Sequence, residues 1–310
     1  MSETPSLAGL DWIAVDWGTS SLRVWAMDAQ GGVLDRATSR EGMSTLWPQA
    51  YEAVLVRIVS RWLGERTEPV PVIVCGMAGA RQGWHEAAYR QAPCRPATPG
   101  SLTAVETAET RLAVSIVPGI CQDDPPDVMR GEETQLAGLL AARNIDDGVV
   151  CMPGTHSKWV RLAGGRVSAF TTVMTGEMFA LLAERSVLRH TVGDGGHDAV
   201  SFAQAVTDML AAPEMLTAAL FSVRAGALLD DAGPDACRSR LSGLLVGAEI
   251  AAMRPHWAGK TVHVVGAGPL VERYAEALRV AGADAVPEDG EALTLAGLSA
   301  VRAGMNGGKT

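Results

Sequence analysis

Asp16, Gly18, Thr19 and Ser20, and further along Gly154, Thr155, His156, Ser157 and Lys158, are residues whose types and spacing could do chemistry in this 310-residue chain. The first set lies in Asp16-Trp17-Gly18-Thr19-Ser20-Ser21-Leu22-Arg23, between two apolar, β-rich runs. A strand, a tight Gly-Thr-Ser turn and a second strand are expected there. Such a turn gathers successive backbone N–H groups and hydroxyls into one concavity, where anions bind. Asp16 at its mouth offers a carboxylate to Mg²⁺, which takes oxygen ligands and keeps several waters. These are the parts of a triphosphate-binding loop of hairpin type. It is not a Walker loop, because no G-x-x-x-x-G-K-[ST] occurs. The rival reading is a hairpin turn with a solvated Asp.

The second set repeats the pattern. An apolar run at residues 148–152 meets Pro153-Gly154-Thr155-His156-Ser157-Lys158-Trp159, then two more β-rich runs separated by Gly164-Gly165. The same strand–turn–strand unit thus occurs once in each half of the chain. A third glycine turn, Gly266-Ala267-Gly268-Pro269, joins the apolar run 262–265 to a helical stretch. Glycines at Gly266 and Gly268 let the backbone approach a flat ligand, and the helix N-terminus favours negative charge.

In this order the three loops resemble the two phosphate loops and the adenosine loop of the actin, sugar-kinase and heat-shock-chaperone ATPases. The closer resemblance is to the 2-dehydro-3-deoxygalactonokinase family. It is carried by residues 15–25, Glu41-Gly42-Met43, Cys75-Gly76-Met77-Ala78-Gly79-Ala80-Arg81-Gln82-Gly83-Trp84, Val128-Met129-Arg130-Gly131-Glu132-Glu133-Thr134-Gln135, residues 152–159, 265–270 and 293–298. One departure from the wider superfamily stands out. Pro153 occupies the place before the second Gly-Thr that is usually acidic, so Lys158 is expected to take over part of the phosphate grip.

The resemblance implies ATP and Mg²⁺ as cofactors and transfer of the γ-phosphoryl group to the terminal hydroxyl of 2-dehydro-3-deoxygalactonate. A hydroxyl acceptor calls for a base. Glu132 and Glu133, at the start of a helical stretch, form the leading pair. Neighbouring helix positions point in different directions, so one of the two at most is the base. Both could instead complement the helix dipole. Asp198 is a weaker rival, better read as a helix N-cap. The acceptor's carboxylate calls for an arginine fork. Arg81 leads, with Arg23 and Arg130 as alternatives and Gln82 and Trp84 beside it. Arg23 could equally be a structural ion pair. Trp17, Trp84 and Trp159 adjoin motif glycines and either stack a substrate or wedge a loop, the wedge being favoured.

The elements that must position these residues form two α/β halves of the ribonuclease H-like, actin-like ATPase class with a cleft between them. One lobe is expected over residues 1–147, with 290–310 returning as a C-terminal helix, and the other over 148–289. Three strands are expected over 11–39, a helix over 48–64, strands over 70–75 and 111–117, a long irregular segment over 76–110 and a helix over 131–143. The second half predicts three strands, helices over 175–188, 197–211, 217–229 and 235–253, a strand over 262–265, and helices over 270–281 and 288–303, with the tail frayed from Gly304.

Net charge is −9 with no basic run, which argues against nucleic acid as a partner. Five scattered cysteines without metal spacing read as free thiols of a reducing cytoplasm. No signal segment or run of transmembrane length is read, so no membrane partner is expected. The partners are ATP and a small sugar acid, with a homodimer left open. Two rivals remain: a kinase for another small sugar or sugar acid, and a nucleotide-switch ATPase. Acceptor-dependent ATP turnover separates the last from a kinase.

Overall fold

The computed structural model describes residues 7–307. The chain divides into two compact units. One runs through Asp146 and adds Gly165–Val167 and the segment from Glu291 onward; the other holds Asp147–Gly164 and Ser168–Gly290.

The first unit is built on β1 (Trp12–Trp17), β2 (Leu22–Met27), β3 (Val33–Ser39), β4 (Val70–Gly76), β5 (Arg90–Gln91), β6 (Thr103–Val105), β7 (Leu112–Ile116), β8 (Ile120–Asp123) and β9 (Pro126–Met129). Six strands form a sheet in the order β3-β2-β1-β4-β7-β6, and β5-β8-β9 form a small second sheet. β1 pairs antiparallel with β2, from Trp12↔Met27 to Trp17↔Leu22, and parallel with β4. Alternation along β1 sends Ile13, Val15 and Trp17 to one face, where α1 (Tyr51–Leu63) covers them with Tyr51, Leu55, Val59 and Trp62. Trp12 and Ala14 face the other way with Ile73 and Cys75, against Leu298 and Val301 of the C-terminal helix. The same period of two puts Asp16 on that second face.

α2 (Glu132–Arg143) crosses the C-terminal helix at a glycine pair. A Cβ on Gly138 would stand 1.9 Å from the Leu293 carbonyl oxygen, and one on Gly297 1.9 Å from that of Thr134. Backbones can touch here because both positions lack side chains.

The second unit holds β10 (Gly148–Met152), β11 (Ser157–Ala163) and β12 (Arg166–Val173), then α3 (Thr175–Arg185), α4 (Ala199–Ala211), α5 (Leu216–Leu229), α6 (Pro234–Ala252), α7 (Arg254–Trp257), β13 (Thr261–Gly266), α8 (Pro269–Val280) and β14 (Asp284–Asp289). Its sheet runs β12-β11-β10-β13-β14. α4, α6 and α8 pack Phe202, Val206, Ile250, Tyr274 and Leu278 onto Val149, Cys151, Trp159, Val262 and Val264. Both larger sheets therefore continue an antiparallel run into parallel strands, with β6 added antiparallel at the edge of the first. This is the ribonuclease H-like, actin-like ATPase arrangement.

Several expected elements shift. The final helix, α9, spans Gly290–Gly307. Its expected start at 288 falls in β14, which carries Pro287 on a sheet edge, where a missing N–H costs no ladder bond. Helix also replaces the fray expected from Gly304; residues 308–310 lie outside the described residues. The helix expected to Leu188 stops at Arg185, because the Ser186 side chain accepts from the Leu188 N–H and starts a separate turn. The β8–β9 hairpin, absent from the sequence reading, turns at Asp124-Pro125.

Candidate active site

The first loop is four residues long. Gly18 N–H donates to the Ser21 carbonyl at 2.8 Å, closing the turn beyond the Trp17↔Leu22 pair. A strap, Gly42-Met43-Ser44, lies beneath it. Met43 N–H donates to the Gly18 carbonyl (3.1 Å) and Ser44 N–H to the Thr19 carbonyl (2.9 Å). A Cβ on Gly42 would be 2.4 Å from the Thr19 oxygen, so glycine permits the approach. A trans peptide directs its N–H opposite its carbonyl. Strapping these two carbonyls therefore turns the Thr19 and Ser20 N–H groups away from the strap. Neither has a partner among the described residues.

Asp16 sits at the end of this turn with 14% of its side chain exposed. Oδ2 accepts from Arg23 Nε at 3.1 Å and also from Nη2. Cys75 Sγ is 3.8 Å from Oδ1. Arg23 Nη1 continues to Glu291 Oε2 at 3.1 Å. Arg23 is thus committed to two carboxylates of its own chain, which corrects its expected role on the acceptor. Burial pushes the Asp16 pKa above the usual carboxylate value while Arg23 pulls it down. No group of three or more metal-ligating side chains exists among the described residues. A lone carboxylate suits Mg²⁺ that takes its other ligands from phosphates and water.

The acidic pair is split. Gly131, at φ +105°, starts α2 in a conformation that favours glycine. Glu133 folds back so that Oε2 accepts from the Gly131 N–H at 2.7 Å, and it is fully buried. Burial, with the Glu132 charge adding, pushes its pKa up to about 8. Glu132 accepts from the Arg130 N–H at 2.9 Å and stays partly exposed. Of the pair, only Glu132 is open to solvent.

Of the expected acceptor residues, Arg81 stands 80% exposed, with Glu86 Oε1 3.4 Å from its Nε, and Gln82 is exposed beside it. Trp84 is a wedge, corrected from a substrate contact. It stacks on Tyr51 (6.2 Å between centroids) and meets Trp17 edge-on (6.0 Å). Arg130 lies over the Tyr89 ring at 4.4 Å and donates from Nη2 to the Ala87 carbonyl at 2.8 Å. Its Nε and Nη1 are buried without a partner.

The second loop spans Pro153-Gly154-Thr155-His156 between the paired Met152 and Lys158. Its brace is the start of α3. Glu177 N–H donates to the Thr155 carbonyl at 2.9 Å, and a Cβ on Gly176 would be 2.2 Å from the Gly154 oxygen. His156 Nε2 is 2.5 Å from Glu177 Oε2. Ser157 and Lys158, at the start of β11, are both buried.

Ser157 opens a buried network that sequence reading missed. Its hydroxyl is 2.9 Å from Tyr274 Oη, which donates to Glu249 Oε2 at 2.8 Å, while Trp159 Nε1 donates to Oε1 at 2.7 Å. Glu249 is 3% exposed. Burial raises its pKa, opposed by hydrogen bonds from Thr175, Trp159, Tyr274 and Ser157. A glutamate inside the apolar stretch of α6 was the available signal, since buried charges need partners. Asp198 is the N-cap of α4, its carboxylate accepting from the Ser201 N–H at 2.7 Å.

A cavity of about 250 Å³ adjoins this network, lined among others by Gly154, Thr155, Gly176, Phe179, Ser242 and Leu270. The third loop borders another, of about 410 Å³, with Gly266, Gly268 (φ +64°), Glu272, Glu288 and Asp289 in its walls.

The model of the 2-keto-3-deoxy-galactonokinase family matches residues 16–301. The chain is 42% identical to a protein of Rhizobium meliloti (strain 1021) described as a probable 2-dehydro-3-deoxygalactonokinase, covering 93% of this chain and 95% of that one. It is 34% identical to the 2-dehydro-3-deoxygalactonokinase of Escherichia coli (strain K12), over 94% and 97%. A crystal structure of a 2-dehydro-3-deoxygalactonokinase candidate from Sinorhizobium meliloti superposes with a TM-score of 0.86 at 41% identity, covering 94% of this chain and 95% of that one. With a family match over residues 16–301 and relatives 42% and 34% identical over nearly its whole length, the chain belongs to the 2-keto-3-deoxy-galactonokinase family of sugar-acid kinases.

Proposed function

We propose that this kinase uses ATP with Mg²⁺ to phosphorylate the terminal hydroxyl of 2-dehydro-3-deoxygalactonate, giving the 6-phosphate, through the following residues. The Thr19 and Ser20 N–H groups and the Gly154-Thr155 turn hold phosphate oxygens. The nucleoside lies in the cavity between the second loop and the start of α8. Asp16 would hold Mg²⁺ through its hydration shell; the ion, when bound, neutralises charge on the β- and γ-phosphates. Glu132 takes the proton of the acceptor hydroxyl as its oxygen bonds to the γ-phosphorus and ADP leaves. Glu133, held on the Gly131 N–H, fixes the turn that presents Glu132. Arg81 takes the acceptor's carboxylate, with Arg130 supporting that segment on Tyr89 and Ala87. All five cysteines are free, in keeping with the cytoplasmic location we assign.

The observation that carries this reading is the Thr19 and Ser20 N–H pair, turned away from the strap beside a carboxylate. The test is ADP release with and without 2-dehydro-3-deoxygalactonate, with Mg²⁺ and after its chelation. Turnover should require both. Equal ADP release without the sugar acid would mean an ATPase instead.

A further inference from the structure

Ser242 lies on α6 in the wall of the 250 Å³ cavity and is 8% exposed. Its hydroxyl makes no hydrogen bond among the described residues, not even the back-bond to a preceding helical carbonyl that Ser222 and Thr207 make. The other polar side chains in the wall differ. Thr175 and Tyr274 are held by Glu249. Thr155 belongs to the exposed turn, and Arg273 is partly exposed. No carboxylate, carboxamide or histidine lines the cavity.

Most of the wall is helix, from α3, α6 and α8, and helical N–H and carbonyl groups already bond each other. Only first-turn N–H groups, such as those of Gly176 and Leu270, escape that pairing. They are donors, as is the Arg273 guanidinium. Donors can meet the acceptors N3 and N7, which both purines carry. Telling adenine from guanine needs something that reads the 6-amino against the 6-oxo group. A serine hydroxyl can donate or accept, so it serves either.

On the assignment of the nucleoside to this cavity, we infer that Ser242 meets the base of the phosphoryl donor, and that the site takes adenine and guanine nucleotides alike. Apolar contact with Phe179, Leu245, Val246 and Leu270 supplies affinity without choosing between the purines.

The test is steady-state kinetics with ATP and with GTP at saturating sugar acid, for the wild type and Ser242→Ala. The kcat/KM values for the two donors should agree within about tenfold, far from the 10⁴-fold rejection of a site built around one hydrogen-bond pattern. Ser242→Ala should raise KM for both by about three- to tenfold, the loss of one hydrogen bond, with KM for the sugar acid unchanged. A donor preference beyond about tenfold, or an unchanged donor KM in Ser242→Ala, overturns the inference. Ser242→Phe separates this failure from that of the nucleoside assignment, because its ring fills the cavity. If it folds with a normal Tm and its KM for ATP is unchanged, the nucleoside does not bind there. If KM for ATP rises while GTP is rejected, only the base-reading inference fails. Leu270→Trp, entering from α8, serves the same purpose should Ser242→Phe not fold.

Discussion

At the first loop Asp16, next to last in β1, is held by Arg23, and the turn beyond exposes Thr19, Ser20 and Ser21. At the second, β10 ends on Met152 and Pro153, and the Ser and Lys that follow the turn are buried. The frames match: an antiparallel strand pair, a short Gly-Thr turn, and a segment from outside the hairpin bracing the turn's carbonyls. The braces differ. A non-helical strap supports the first loop, and the N-terminus of α3 supports the second. A helix N-terminus carries partial positive charge, so it favours phosphate without any side-chain cation. The same supersecondary unit can therefore keep a carboxylate beside its turn in one copy and dispense with it in the other.

Asp16→Asn should break the comparison most severely. It removes the carboxylate unique to the first loop, and kcat should fall by about 10²- to 10³-fold, the scale of losing one preorganised electrostatic group. Rate measured against Mg²⁺ concentration checks this; near-normal turnover with an unchanged Mg²⁺ dependence would remove Asp16 from the metal site. Next, Glu132→Gln should lower kcat by roughly 10²-fold or more with little change in KM for ATP. Glu133→Gln should cost much less near neutral pH, because a carboxyl with a pKa of about 8 is mostly protonated there. The reverse order in a side-by-side assay would exchange their roles.

Glu249→Gln probes the buried network behind the second loop. It weakens the network joining Ser157, Trp159 and Tyr274, and KM for ATP should rise by about five-fold, on the scale of one hydrogen bond, with KM for the sugar acid steady. An equal rise in both constants would make the network merely structural. Arg81→Lys should have the smallest effect, a rise in KM for the sugar acid of about threefold, since an exposed fork loses a bidentate contact but keeps its charge. A rise in KM for ATP instead would place Arg81 on the nucleotide side.

Glu133 also makes a stability prediction. Its pKa rises from 4.5 to about 8 on folding, so the folded state binds this proton more tightly than the unfolded chain. Stability relative to Glu133→Gln should therefore be greatest below pH 4.5, decline as pH rises to about 8, and level off above. Thermal denaturation of both proteins across this range measures it, and parallel curves would contradict it.

Much of the fold was legible because local signals and tertiary outcome agreed. The alternation in β1, the glycine turns and the amphipathic α1 all specify their own geometry. β14 was not legible, since Glu288 and Asp289 read as a helix start, and only pairing with β13 made them part of a strand. Both Gly-Thr turns were legible as turns by type and spacing, and each closes a strand pair.

Sequence by itself determined that two turns of one design occur and that Asp16 stands beside the first. These are local properties of neighbouring residues. Tertiary structure alone decided that Glu133 is buried and Glu132 is not, that Arg23 bridges Asp16 and Glu291, and that Ser157 feeds Glu249 while Ser242 faces a cavity. Each of those depends on which distant element lies against the residue. That fixes its solvation and its hydrogen-bond partners, and with them its pKa and its availability to a ligand.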